Sequence, residues 1–344
     1  MILRNTFSRK NSLFLLAGLL SMTTVEVAAQ QAEKSAKAGT GIYEAAINSK
    51  DGLIYVTGAG SRTNPAGALF KINPADLSLV DSISLKDNPP FGLAINNKTQ
   101  VAYTTNTRTN SVSAVDLKTG KILATITNGA ENSHTREVLV DEAANLIYIS
   151  DVGDPSTIWV IDGKTNRYLH SITGLGKTVT GIAFGNGRDK IYATVMSDNA
   201  IAVVNTKTKT VEKTFSSGGE APVNIVSDGK RLFVTNQKSG TLTVLDLNGT
   251  LLKSISTGAG AIGIAYDPVK NRLYSANRGT GTTTVIDAKT YEVLADVETG
   301  SAPNNVKVDA KGVAYVINKT KGGRPQPGET PQVDSNGDTV TKIK

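Results

Sequence analysis

A four-residue motif that opens on an aromatic side chain and, in its fullest form, closes on Asn recurs at Tyr55, Tyr103, Tyr148, Tyr192, Phe233, Tyr274 and Tyr315, at spacings of 41 to 48 residues. No other feature narrows the fold as far. A period of about 40 residues that holds several short strands and no helical pattern is one supersecondary unit repeated around an axis, so the expected fold is all-β, a propeller. The unit from Pro222 to Gly258 shows how one blade is written. Strands run over Val223–Val226, Leu232–Thr235, Leu242–Leu245 and Leu251–Ser256, with turns at 227–230, at 236–240 and at Asn248-Gly249. The Asn-Gly pair reads as a two-residue hairpin turn with both residues at positive φ.

The same order recurs over Pro90 to Gly129, Arg136 to Gly174, Val179 to Gly218, Ala261 to Gly300 and, more loosely, Ile42 to Leu85. Third strands end on Asn73, Asp116, Asp162, Asn205, Asp246 and Asp287, short polar side chains suited to accept bonds from the turn that follows. A seventh unit starts at Pro303 and reaches its second strand at Ala314–Ile317, after which the Pro- and Gly-rich stretch 319–338 reads as a long loop. Thr339–Lys344 then alternates like a third strand, and residues 33–40 are free to add the outer one. Joining both chain ends in one blade removes exposed sheet edges. The expectation is therefore a single domain over 30–344, a seven-bladed β-propeller of four-stranded antiparallel blades, its ring closed by the N- and C-terminal strands.

Residues 1–29 read as a secretory signal peptide: Arg4, Arg9 and Lys10 precede the apolar run Leu13–Leu20, and Val27-Ala28-Ala29 supplies small residues for cleavage. The run is too short for a bilayer core that needs about 20 helical residues, so a periplasmic or secreted chain with no transmembrane segment is expected. Removing this segment lowers the net charge from +7 to +5, and a basic protein draws anionic partners at long range. There is no cysteine, which excludes a disulfide framework, a thiolate metal site and a Cys nucleophile. Two histidines cannot build a multi-His copper or haem centre, and no phosphate loop or nucleophile elbow is present. Asp334-Ser335-Asn336-Gly337-Asp338 places its Gly at the fourth position of a would-be calcium loop instead of the sixth, and reads as a polar turn. No metal, no cofactor and no catalysis are expected.

At Phe233-Val234-Thr235-Asn236 the chain resembles the YVTN-repeat β-propellers, and within them the YncE-like secreted bacterial propellers. The resemblance covers essentially the whole mature chain, with Gly41-Ile42-Tyr43-Glu44-Ala45 at the first strand, Pro90-Phe91-Gly92 and Ile95-Asn96-Asn97 in the second blade, and Arg136-Glu137 opening the third. It departs where Gly58, Asp151 and Val195 replace the repeat Asn. The resemblance implies a secreted, non-enzymatic binding protein, although propellers host unrelated activities.

Propeller topology also says which side chains share a surface. Loops joining second to third strands emerge beside the blade-to-blade connections, and they carry Arg62, Arg108, Lys238, Arg278, Lys319, Lys321 and Arg324 against Asp151, Asp154 and Asp198. One face is thus expected to be basic. Candidate ligand-binding residues are Arg108, Lys238 and Arg278 on loop tips, and Asn106, Asn236, Asn277 and Asn318 at strand ends. Phe91 at the rim joins them, with the least repetitive stretch of the chain, His134, Arg136 and Glu137. Arg offers paired donors and Lys a point charge to phosphate or carboxylate, Phe91 a stacking surface, and His134 a proton-sensitive donor. Each has a structural alternative: the amides cap turns, the loop cations are solvated, Arg136 and Glu137 form an ion pair, and Phe91 packs in the core.

The function expected from these features is that of a monomeric, non-enzymatic binding or scaffold protein. Its basic face would engage an anionic polymer or protein surface, single-stranded nucleic acid among them. The alternatives are a metal-dependent, lactonase-like hydrolase using Glu137 with Asn106, Asn236 or Asn277, and a purely structural interaction protein of the envelope.

Overall fold

The computed structural model describes residues 1–2, 30–61, 66–321 and 333–344. Most of the expected signal segment, together with Arg62 and Arg324, lies outside the described residues. After β1 (Ala32–Lys37), six blades follow in chain order. Blade 1 holds β2 (Ile42–Ile47), β3 (Ile54–Gly58), β4 (Ala68–Ile72) and β5 (Leu79–Ser84); blade 2 holds β6 (Leu93–Asn96), β7 (Val101–Asn106), β8 (Ser111–Asp116) and β9 (Ile122–Ile126). Blade 3 holds β10 (Thr135–Asp141), β11 (Leu146–Asp151), β12 (Thr157–Asp162) and β13 (Arg167–Ile172); blade 4 holds β14 (Val179–Phe184), β15 (Lys190–Val195), β16 (Ala200–Asn205) and β17 (Thr210–Ser216). Blade 5 holds β18 (Pro222–Ser227), β19 (Arg231–Asn236), β20 (Thr241–Asp246) and β21 (Leu251–Ser256); blade 6 holds β22 (Ala261–Asp267), β23 (Arg272–Asn277), β24 (Thr282–Asp287) and β25 (Val293–Glu298). The seventh sheet combines β26 (Ala302–Val308), β27 (Ala314–Lys319), β28 (Thr339–Ile343) and β1, in the order β1-β28-β27-β26. All ladders are antiparallel, and β1 pairs with β28 from Ala32↔Ile343 to Lys37↔Thr339, so both chain ends share one blade. The only helical piece among the described residues is a 3₁₀ turn at Met196–Asp198, and no helix there is long and apolar enough to cross a membrane.

Seven buried clusters fill the seams between neighbouring blades, including one that joins Ile42 and Ile54 of blade 1 to Tyr315 and Val340 of blade 7. The ring is therefore closed by apolar packing as well as by the β1–β28 ladder. The repeat aromatics are the wedges of these seams: Tyr103 lies against Val138 and Ile149 of blade 3, and its hydroxyl donates to Asn166 Oδ1 at 2.7 Å. Burying such a ring contributes roughly 1.5–3 kcal/mol, which is why an aromatic opens every repeat.

Two turn readings are resolved by backbone geometry. The third-strand carboxylates and amides accept from the following turn as expected, for example Asp116 from Lys118 N at 2.8 Å and Asp287 from Lys289 N at 2.7 Å. The Asn248-Gly249 turn is not the two-residue type: Gly249 has φ of 100°, and Asn248 is not at positive φ. Asp246 Oδ1 accepts from both Asn248 N and Thr250 N at 2.8 Å, which stabilises a longer loop with a single left-handed residue.

A second regularity sits on the inner strands. Six of them lose register just after they start, three leaving two residues without ladder partners, as between Thr135 and Val138 of β10, and three leaving one, as between Pro222 and Asn224 of β18. A bulge of this kind leaves an N–H unpaired. The hydroxyl residue next to the end of the repeat motif takes it: Gly92 N donates to Thr105 Oγ1 at 2.8 Å, Gly181 N to Thr194 Oγ1 at 2.7 Å and Glu137 N to Ser150 Oγ at 3.0 Å. Thr105, Thr194 and Thr235 donate in turn to the next blade, to Arg136 O, Val223 O and Ile262 O at 2.7, 3.0 and 2.9 Å. The bulged residues are those that meet at the axis.

Candidate anion-binding site at the channel mouth

Bulged residues of blades 1, 3 and 7, Tyr43, Arg136 and Asn304, come together with Phe91, two residues before β6 of blade 2. Tyr43 is the hub. Arg136 donates from Nη1 to the Tyr43 hydroxyl across from blade 3, and its guanidinium carbon lies 5.5 Å from the ring centroid. Lys319, at the end of β27, places its Nζ 4.3 Å from the same centroid. Phe91 packs edge-on against Tyr43 with centroids 5.2 Å apart, and Arg108 stands 5.2 Å above Phe91 while donating to Ala59 O at 2.9 Å. Arg278, in the loop after β23, donates from Nη2 to Asn304 Oδ1, and Asn304 Nδ2 donates to Tyr43 O at 2.6 Å. Cation–π contacts and these amide bonds hold the positive groups in place.

Among the described residues no carboxylate lies within ion-pair distance of Arg136, Arg278 or Lys319. The electrostatic consequence differs from group to group: burial would lower the Arg136 guanidinium, yet Tyr43 and then Glu44 and Glu137 raise it above its ordinary value. Burial, and then the like charges of Arg278 and Arg136, hold the Lys319 ammonium below its usual value, while Tyr43 pulls the other way. Burial likewise lowers Arg278. Burial would raise the Tyr43 phenol, yet the charges of Arg136 and Lys319 outweigh it and bring the phenol below its ordinary value. Cations crowded around a phenol oxygen in a desolvated place are a seat for an anion.

One layer deeper the chemistry inverts. Glu44 and Glu137, the second bulged residues of blades 1 and 3, face each other with Lys307 and then Arg136 as their counter-charges. Glu44 is 2% exposed and accepts from Leu93 N at 3.3 Å. Burial, and next the charge of Glu137, push Glu44 up to about 8, and burial raises Glu137 as well, so the pair holds a proton between them near neutrality. Glycine occupies this layer at Gly92, Gly181 and Gly263 because a Cβ there would lie 2.1 to 2.8 Å from the backbone of the next blade. On the far side of the carboxyl pair a cavity of about 550 Å³ opens, lined by Glu137, Asn224, Asn305, Lys307, Phe184 and Arg188 among others.

The residues expected from sequence thus divide. Phe91, Arg108, Arg136 and Arg278 converge on Tyr43, together with Lys319 from the basic loops. Glu137 turns instead to Glu44. Lys238 stands apart, in an exposed pair with Glu220 at 2.8 Å, and His134 is an exposed residue whose backbone N–H donates to Asp151 at 2.6 Å. The anticipated Arg136–Glu137 ion pair does not form; Arg136 bonds Tyr43 instead. Tyr43 and Glu44 carry no repeat signature, and only the ring geometry reveals them.

The four repeat asparagines are fully buried, and their amide NH2 groups bond inside their own blades, while Asn236 Oδ1 and Asn318 Oδ1 are buried without a hydrogen-bond partner. Asn236 Nδ2 donates to Thr243 Oγ1 at 3.1 Å, Asn277 Nδ2 to Thr284 Oγ1 at 2.8 Å and Asn318 Nδ2 to Thr341 Oγ1 at 3.0 Å, while the Asn106 amide lies 2.9 Å from Ser113 Oγ. They cap the loop as short amides do, out of a ligand's reach. It follows that Glu137 is not brought together with Asn106, Asn236 and Asn277 as a metal-binding set. The departures from Asn obey the same pairing. Asp151 faces Trp159, whose Nε1 donates to it at 2.9 Å; Gly58 makes room for the Phe70 ring; and Val195 packs with Ala202.

No family model matches the chain. It is 31% identical over 347 residues to YncE of Salmonella typhi, covering 96% of this chain and 98% of that protein, and 31% identical with the same coverage to YncE of Salmonella typhimurium. YncE of Escherichia coli strain K12 is 29% identical over 96% of this chain and 98% of its own length. Seven four-stranded blades, both chain ends in one sheet and near full-length similarity converge on one conclusion: the chain belongs to the YncE family of β-propellers.

Proposed function

We propose that the chain is a non-enzymatic binding protein, exported to the periplasm or beyond, whose cationic channel mouth engages an anionic polymer, single-stranded nucleic acid in particular. The observation that supports this reading is the convergence of Arg136, Arg278 and Lys319 on Tyr43, none of them within ion-pair distance of a carboxylate among the described residues. Nucleic acid is favoured over other polyanions because guanidinium groups and aromatic rings alternate here, Arg136 with Tyr43 and Arg108 with Phe91. That mixture suits a strand whose phosphates want cations and whose bases want flat partners.

The test is a fluorescence anisotropy titration of a labelled single-stranded oligonucleotide at low ionic strength. The double substitution Arg278→Ala, Lys319→Ala removes two charge-assisted contacts, each worth about tenfold, and should weaken binding about 100-fold. Lys238→Ala, far from the cluster, should leave it unchanged. Phe91→Ala should weaken the oligonucleotide but not a sulfated polysaccharide. Wild-type affinity in the double variant would remove the cluster from the binding surface.

A further inference from the structure

We infer that the channel mouth is a seat for the end of an anionic chain, selective for a terminal phosphate monoester over an internal diester. This inference rests on the proposed binding role and specifies which part of the ligand the cluster takes. Three observations carry it. First, the donors come from three separate blades and meet around Tyr43: Arg136 of blade 3 on its hydroxyl, Lys319 of blade 7 over its ring, and Arg278 of blade 6 through Asn304, which bonds the Tyr43 carbonyl. Second, Arg278 Nε is buried with no hydrogen-bond partner, although its Nη2 is bonded to Asn304. A buried guanidinium N–H left unpaired costs free energy unless something absent from the chain accepts from it. Third, the layer beneath holds the Glu44 and Glu137 carboxyls, which face Lys307 on one side and Arg136 on the other. A polyanion that entered deeper would meet those carboxyls, so a chain reaches the cluster by its end.

Charge and oxygen count select the ligand class. An internal phosphodiester carries one negative charge and two free oxygens. A phosphate monoester carries close to two charges at neutral pH and three free oxygens, which matches three cationic donors from three directions. Tyr43 Oη receives from Arg136 the bond that an anion would take. Free phosphate, a sugar phosphate and a 5′-phosphorylated strand all present this chemistry, and the experiment separates them.

Two 3′-labelled single-stranded oligonucleotides of identical sequence, one with a 5′-phosphate and one with a 5′-hydroxyl, are titrated into the full-length mature protein at low salt. The phosphorylated strand should bind about tenfold more tightly, the value of one further charge-assisted contact. That preference should shrink as pH falls through about 6, where the monoester takes up its second proton. Arg278→Ala should erase the preference while leaving residual binding of both strands. Lys319→Gln, which keeps a side chain of similar length over Tyr43, should also erase it, and a normal melting curve for either variant shows that the ring is intact. Competition by inorganic phosphate alone at equal strength would assign the seat to the free ion and overturn the chain-end assignment. Equal affinity for the two strands would overturn the seat while leaving the polymer reading standing. Binding of neither strand would overturn both, and a preference that survives both variants would place the monoester elsewhere.

Discussion

Thr105→Val tests the device that builds the channel mouth. Thr105 is fully buried, and its Oγ1 accepts from Gly92 N at 2.8 Å and donates to Arg136 O at 2.7 Å, so a single hydroxyl satisfies a bulge in blade 2 and a carbonyl in blade 3. Valine keeps the branched shape and the strand preference while removing both bonds. Water cannot take over, because a Cβ built on Gly92 would already lie 2.1 Å from the Arg136 oxygen. Two orphaned buried groups cost about 1–3 kcal/mol each, and the added methyl returns about 1 kcal/mol, for a net loss of about 1–5 kcal/mol. Trp159, the sole tryptophan, sits in the same seam between blades 2 and 3 and reports the transition by its fluorescence in a urea titration. Thr125→Val on the exposed outer strand β9 is the control and should shift stability by no more than about 0.5 kcal/mol. If Thr105→Val unfolds at the same urea concentration as wild type, the hydroxyl bridge does not hold the bulge, and the positioning of Arg136 needs another cause.

Asp151→Asn restores the repeat residue yet should destabilise by about 1–3 kcal/mol, because Asp151 accepts from His134 N, Gly153 N and Trp159 Nε1, and an amide cannot accept on both sides; urea unfolding measures it. Glu44→Gln should flatten the dependence of stability on pH. Glu44 is raised to about 8 by burial and then by Glu137, so its contribution is fully present below about pH 4.5 and lost as pH rises through about 8. Wild type should therefore weaken between about pH 5 and pH 9 by on the order of a few kcal/mol, and the Gln variant by much less. Parallel urea titrations with the same slope would show the carboxyl pair to be solvated. Lys238→Ala breaks only an exposed pair with Glu220 and should change stability by less than about 0.5 kcal/mol in the same assay.

How far the sequence reached depends on what each residue type answers to. Blade boundaries were legible because they rest on local alternation and turn chemistry: Leu251–Ser256 is a strand in both readings, and Asp116 and Asp287 bind their turns as their positions imply. The ring closure through Ala32–Lys37 followed from the missing strand in the last blade. Asn248-Gly249 misled because the side chain of Asp246, two residues before the pair, reshapes the loop. The repeat Asn and the third-strand hydroxyl form one unit, and the sequence shows it only when Asp151 with Trp159 and Gly58 with Phe70 are set beside Asn236 with Thr243. Half of the site was hidden for a geometric reason. Arg278 announces itself as a charge in a loop and Arg136 as a charge in the least repetitive stretch, whereas Tyr43 and Glu44 sit at bulge positions whose convergence depends on seven blades meeting at an axis.

The salt dependence of single-strand binding tests the central claim most directly. Arg136, Arg278 and Lys319 converge on a single terminal phosphate of close to two charges, so at about 0.7 released counterions per charge neutralised the logarithm of the binding constant should fall against the logarithm of salt concentration with a slope between about −0.7 and −1.4. A slope in this range that moves toward zero when Arg278 and Lys319 are replaced by Ala is the expected result. An affinity independent of salt, or a slope that the double replacement leaves unchanged, would contradict it.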